Sequence, residues 1–452
     1  MSSKKIIRYI VTVSILLTGC KVSLDEPRYV PGEADFSSFV AIGNSLTAGY
    51  SDGALSREGQ LNSFPAILAS KFALVGGGDF KMPLINEGNG LGFDATFHPI
   101  GRLDLSKKTN CLGQADFNVT NLSANPADLM WIGNQGSYNN LGVPGAKSFN
   151  LYSQYFGKGG GSGNPYYYRM ASDTGSGSSL SSTVLGDAER VDPTFFSLWI
   201  GSNDVLFYAL YGGEGSPSGL FPNDITPVDT FYSAIDRIVS SLTANGADGV
   251  IANIPDIADI PYFNTIPYNG LVLTTEQAAQ LNALTPPNLG ITFTAGPNAF
   301  VVKVPGGGSI RQLVQGELVL LSVSQDSIRC AGLGTPQNPI PASQILDLTE
   351  LGNIETATAL FNDKLRTAAA VKNLAFADMN TYFKSVSPGI RFNGVTFSAE
   401  YLSGGAFSLD GIHPNQQGYA LIANVFIRSI NARYKSSLPE ADANSYAGIR
   451  FP

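Results

Sequence analysis

Apolar residues along this chain come in short unbroken runs, and the polar stretches between them carry helix signals. Residues 36–42 close with Phe39, Val40, Ala41 and Ile42 before Gly43, the pattern of a strand buried on both faces that stops at a turn. Residues 195–200, 249–254 and 374–379 repeat that signature. Ser63-Phe64-Pro65 opens a helix with proline in its first turn and with Ile67, Leu68 and Phe72 on one face. Residues 226–246 read as another helix, striped by Phe231, Ile235, Ile238 and Leu242 and stopped by Gly246. Further helices are expected over 354–372 and 415–432. Strands alternating with helices predict an α/β fold with a mostly parallel sheet.

Three stretches break the rhythm. Residues 76–140 are rich in Gly and Asn, and residues 156–190 set Gly- and Ser-rich runs around Tyr166-Tyr167-Tyr168. Residues 262–350 are rich in Pro, Thr and Gly. They are expected to be long insertions at the ends of the sheet, where loops build a substrate site or a lid. One domain over residues 36–435 follows, with a tail at 436–452. The composition, 43% hydrophobic and 14% charged, suits one large core elaborated by loops.

The N-terminus bears on location. Lys4, Lys5 and Arg8 precede an apolar run over 9–17, too short to cross about 30 Å of hydrocarbon as a helix. The ending Leu17-Thr18-Gly19-Cys20 resembles the bacterial lipobox. That resemblance implies a signal peptide over 1–19, acylation of Cys20 and a tether over 20–35 containing Pro27 and Pro31. An exported lipoprotein held to a membrane, as in the bacterial outer membrane, is the expectation. Export would remove three of 28 basic residues and none of 36 acidic ones, leaving a formal charge of about −11. Such a surface, without basic clusters, argues against a nucleic-acid partner. Cys111 and Cys330 remain, as a disulfide or as two buried thiols; spacing alone does not bring their Cα atoms within reach.

Only two histidines are present, His98 and His413. His98 lies in an insertion and reads as a loop residue. His413 lies in Asp410-Gly411-Ile412-His413-Pro414-Asn415, just before the last helix. A carboxylate three residues earlier on a turn can take the imidazole Nδ1–H and leave Nε2 to face a nucleophile. Ser45, in Gly43-Asn44-Ser45-Leu46-Thr47, follows the first strand at the carboxyl edge of the sheet, where open α/β folds bind ligands. Its N–H opens the next helix and can donate to an oxyanion. Gly145, in Val143-Pro144-Gly145-Ala146, and Asn203, in Gly201-Ser202-Asn203-Asp204, end at the same edge and offer a backbone N–H and a side-chain amide. No His-rich or His–carboxylate cluster suggests a metal.

Together these four segments resemble the blocks of the SGNH, or GDSL-type, hydrolase family, in order, over roughly residues 36–430. The resemblance implies a flavodoxin-like three-layer α/β/α fold and a cofactor-free serine hydrolase of carboxylic esters. Ser45 would attack, His413 would take its proton, and Asp410 would orient His413. The N–H groups of Ser45 and Gly145 and the Asn203 side chain would hold the oxyanion. Lipase, esterase and carbohydrate deacetylase activities all fit, with small-molecule, lipid or acylated-glycan esters as substrates. One departure is Asn44, where many relatives have Asp; it removes an anion beside Ser45. The competing reading is a surface-binding lipoprotein that kept the fold without turnover, stacking sugars on Tyr166-Tyr167-Tyr168.

Overall fold

Phe39–Gly43 (β1) is buried at every position, as a strand flanked on both sides within a covered parallel sheet must be. The computed structural model describes residues 28–94, 97–159, 163–175, 180–305 and 308–452. The signal segment, Cys20 and the first part of the tether lie outside them. On one side β1 pairs with Asn140–Gly142 (β2), and on the other with Phe195–Trp199 (β3). Beyond β3 lie Asp248–Ala252 (β4) and Ala375–Ala377 (β5). Every pairing is parallel, and the order β2-β1-β3-β4-β5 is the flavodoxin-like one. From β1 the chain goes to one neighbour and then returns to the other, which opens a crevice at the carboxyl ends of β1 and β3.

Two layers of helices cover the sheet. The helices used below are Ser45–Ala48 (α1), Phe64–Phe72 (α2), Pro165–Met170 (α3), Asn203–Leu210 (α4), Val228–Leu242 (α5), Leu348–Val371 (α6) and Gln416–Tyr434 (α7). Helices α2 and α7 pack together through Phe64 stacked on Phe426 at 4.5 Å, with Trp199 of β3 edge-on to both. Helices α5 and α6 meet through Phe231 and Phe361, stacked at 3.9 Å. Ser63 caps α2 as its position predicts. Helix α6 begins at Leu348, ahead of the expected 354, because Asp347 and Glu350 form a capping box there.

The third insertion is not a loose loop. Ile266, Phe293, Phe300, Val302, Val319 and Ile340 form a second hydrophobic core, wrapped by short antiparallel pairs. The first insertion sends out the hairpin Leu103–Thr109/Ala115–Asn121, which Cys111 joins to Cys330 in a disulfide with Cα atoms 6.4 Å apart. Lys108–Asp326 and Arg329–Asp116 ion pairs flank the link. The expected tail is no tail: Leu438, Ala441 and Ala443 are buried in the main core, and Asn424 of α7 holds Ala441 through both backbone N–H and C=O. The end of the expected tether is likewise packed, with Ala34 buried and Val30 bonded to Ser437. The link between the two segments is hidden in the sequence because Val30 and Ser437 stand 407 residues apart in the chain. Among the described residues, no helix is long and apolar enough to cross a membrane.

Candidate active site

Ser45 is the first residue of α1, at the carboxyl end of β1. The fold permits this abrupt start because Asn44 accepts the Leu46 N–H at 3.0 Å and so caps the helix. Glycine at 43 is required: a Cβ there would lie 2.3 Å from the Trp199 carbonyl. Asparagine at 44 therefore does the capping that an aspartate would do, without its charge. Its amide nitrogen is buried with no hydrogen-bond partner among the described residues.

Ser45 Oγ lies 2.9 Å from Nε2 of His413, and Nδ1 of His413 lies 2.9 Å from Oδ2 of Asp410. The turn before α7 makes this geometry local. Asp410 Oδ1 accepts the backbone N–H groups of Ile412 and His413, each at 2.8 Å, so the carboxylate is locked to the turn carrying the imidazole. Tyr262 of the third insertion donates its N–H to the Gly411 carbonyl at 2.9 Å and steadies the turn from outside. Burial alone would raise the Asp410 pKa. The facing His413 charge and the donated hydrogen bonds outweigh it and hold the carboxyl at about 2.

A second layer went unread in the sequence. Tyr50 lays its ring against the His413 ring, centroids 4.8 Å apart. Gly53 donates its N–H to Asp410 Oδ2, and Asp52 accepts the Leu409 N–H, each at 2.9 Å. Ser408 Oγ bridges the two segments, accepting from the Asp52 N–H and donating to Asp410 Oδ1. Asp52 and Gly53 both have positive φ. Burial pushes the Asp52 carboxyl up to about 6, against the Leu409 N–H and with the help of the Asp410 charge. The only signal in the sequence was Ser51-Asp52-Gly53, a turn like many others.

On the other side of Ser45, Val143-Pro144-Gly145-Ala146 forms a turn closed by the Ala146 N–H on the Val143 carbonyl at 3.1 Å. Proline second and glycine third, with φ +81° at Gly145, are the marks of a type II turn. Asn203, the first residue of α4, donates from its side-chain amide to the Ala146 carbonyl at 2.9 Å. The second amide N–H remains for another acceptor. Asp204 joins the two segments again, accepting from Ser148 N and Ser148 Oγ at 2.9 and 2.7 Å. Burial lifts its carboxyl to about 6, and the Ser148 bonds oppose the rise.

The structure thus brings Ser45, Asp410 and His413 into bonded contact, and ties Asn203 to the turn of Gly145. A cavity opens beside them, lined by Ser45, Asn203 and His413 and by the apolar side chains of Leu46, Val205, Leu206, Ile254, Ile257 and Ile412. His98 lies elsewhere, exposed and 3.7 Å from Asp94. Tyr166 and Tyr167 are buried in the main core and Tyr168 is half-buried, so the three rings do not make one exposed stacking platform. Among the described residues, no group of three or more His, Cys, Asp or Glu side chains is placed to hold a metal ion. Residues 39–426 match the family model described as GDSL-like Lipase/Acylhydrolase. Comparison with curated proteins finds no match.

Proposed function

The chain belongs to the GDSL-like lipase/acylhydrolase family, and from that premise we propose that it hydrolyses carboxylic esters through an acyl-enzyme on Ser45. One observation carries the reading: the unbroken relay from Ser45 Oγ through His413 to Asp410, both contacts at 2.9 Å. In the first half-reaction the Ser45 oxygen bonds to the ester carbonyl carbon while its proton passes to His413 Nε2. The carbonyl π electrons move onto oxygen. The resulting oxyanion takes hydrogen bonds from the N–H groups of Ser45 and Gly145 and from the Asn203 amide. Collapse expels the alcohol, which leaves with the proton from His413. Water then repeats the sequence and frees the acid. Asp410, ionised down to about pH 2, stabilises the imidazolium and fixes its tautomer.

The apolar cavity favours an ester whose acyl part is a hydrocarbon chain over one carrying only acetyl, since Leu46, Val205, Leu206, Ile254 and Ile412 gain from covering methylenes. The reading extends to location. The basic and apolar start of the chain and Leu17-Thr18-Gly19-Cys20 support an exported enzyme anchored through acylated Cys20, acting on lipid or other acyl esters close to a membrane.

Labelling the domain with a fluorophosphonate tests the nucleophile. Wild type should take the label and Ser45→Ala should not; a folded wild type that stays unlabelled sinks the reading.

A further inference from the structure

Gly145 can act on an oxyanion only if its N–H points the right way, and its turn does not guarantee that. Type I and type II turns differ mainly by rotation of the central peptide, here the one joining Pro144 to Gly145. Glycine at the third position tolerates both forms. Because a trans peptide is planar, its C=O and N–H point in opposite directions. Whatever grips the Pro144 carbonyl therefore sets the direction of the Gly145 N–H.

That grip comes from Asn164, in the second insertion. Its Nδ2 donates to the Pro144 carbonyl at 2.9 Å, and a Cβ added to Gly145 would lie 3.6 Å from the same nitrogen. The other end of the amide is occupied too. Asn164 Oδ1 caps α3, accepting from the N–H groups of Tyr166 and Tyr167 at 3.0 and 3.1 Å. Helix α3 is a firm base. Tyr167 Oη donates to Asp187 at 2.9 Å, and Arg169 donates to the Pro83 carbonyl at 2.7 Å. With Asn203 holding the Ala146 carbonyl, the turn is fastened at the residues before and after Gly145.

We propose that Asn164 is a positioning residue for ester hydrolysis: by holding the Pro144 carbonyl it keeps the Gly145 N–H aimed at the oxyanion. The proposal rests on the assignment of Gly145 as an oxyanion donor. It also gives the second insertion a catalytic purpose.

Asn164→Asp and Asn164→Ser separate this role from helix capping. Both side chains still accept from the first turn of α3. The aspartate has no proton to donate to the Pro144 carbonyl, and the serine is too short to reach it. Steady-state kinetics on a p-nitrophenyl ester should show kcat reduced about 10- to 100-fold in both variants, with KM within about twofold, since only the transition state carries the charge. Affinity for a trifluoromethyl ketone, which forms a charged adduct on Ser45, should fall in step. Unchanged thermal midpoints would show that the cap survives. Wild-type kcat in either folded variant overturns the proposal, and so does a rise in KM at constant kcat. Loss confined to the aspartate would trace to its charge and overturn it equally. Ser45→Ala is assayed beside them; turnover surviving in that variant would overturn the nucleophile assignment itself, a result distinct from all of these.

Discussion

On one side of Ser45, Asp410 and His413 share a single turn, and the carboxylate bonds to the backbone of the histidine it orients. On the other side, the turn of Gly145, the start of α4 at Asn203 and the insertion residue Asn164 come from three separate segments. Side-chain amides on backbone carbonyls hold them together. The proposed base is oriented first by its own turn, which Gly53, Asp52 and Tyr262 brace from outside, whereas the proposed oxyanion site is brought together by tertiary contacts. A device with a local frame loses less to distant changes as long as its turn forms. An assembled one inherits the rigidity of everything that holds it.

The sharpest way to break this contrast is His413→Ala. Turnover should fall roughly 10⁴- to 10⁶-fold, as on removal of a triad base, while His98→Ala leaves it unchanged. Esterase kinetics on both variants check this, and activity that depended on His98 instead would undo the assignment of the base. Next in size is Asn203→Ala, expected to lower kcat about 10²- to 10³-fold. It removes a proposed oxyanion donor and also frees the Ala146 carbonyl, so hydrogen exchange at residues 143–148 should rise. No such rise is expected after His413→Ala. A change confined to kcat would mean that the two sides are built more alike than their contacts suggest.

Among changes at the site itself, the smallest effect on turnover is expected from Asp52→Asn. The amide oxygen can still accept the Leu409 N–H, and asparagine tolerates the φ of +51° at this position, so kcat should change less than about tenfold. Stability is the informative readout. The Asp52 carboxyl, facing Asp410, Glu58 and Arg102, titrates near 6 in the folded chain against an ordinary value of 3.8. Between those values the folded state holds a proton that the unfolded state releases, so the stability contributed by this carboxyl should fall as pH rises through that window and level off above it. Asparagine removes this contribution and leaves that of Asp204, whose carboxyl burial also lifts to about 6. The advantage of asparagine should be absent near pH 3 and reach at most about 3 kcal/mol above pH 7. Denaturant melts at the two pH values measure it, and parallel pH profiles for both proteins would refute it.

Much of this architecture is legible in the residues. The buried strands are continuous apolar runs, which single them out, and the helices carry stripes and caps. Ser45, Gly145, Asn203 and the Asp410–His413 turn stand at the ends of those elements. A parallel sheet gathers such ends at one edge, so topology alone brings them near. Asp52 and Asn164 were not legible. Each is an ordinary turn or cap residue whose importance lies in a contact with a distant carbonyl or N–H. The second core of residues 262–350 was hidden for a similar reason. Its strands are two or three residues long, too short for an alternating pattern to appear. Ala441 and Ala443 look like a tail because small apolar residues announce burial only once α7 is in place.

The disulfide between Cys111 and Cys330 spans 219 residues, and what it encloses is uneven. Gly145, Asn164 and Asn203 lie inside the covalent ring; Ser45, Asp410 and His413 lie outside it. A protease that cut the chain once anywhere between the two cysteines would leave both fragments on one molecule, with the two sides of the proposed reaction centre still leashed together. In a reducing medium the same single cut would leave only noncovalent contacts to hold them.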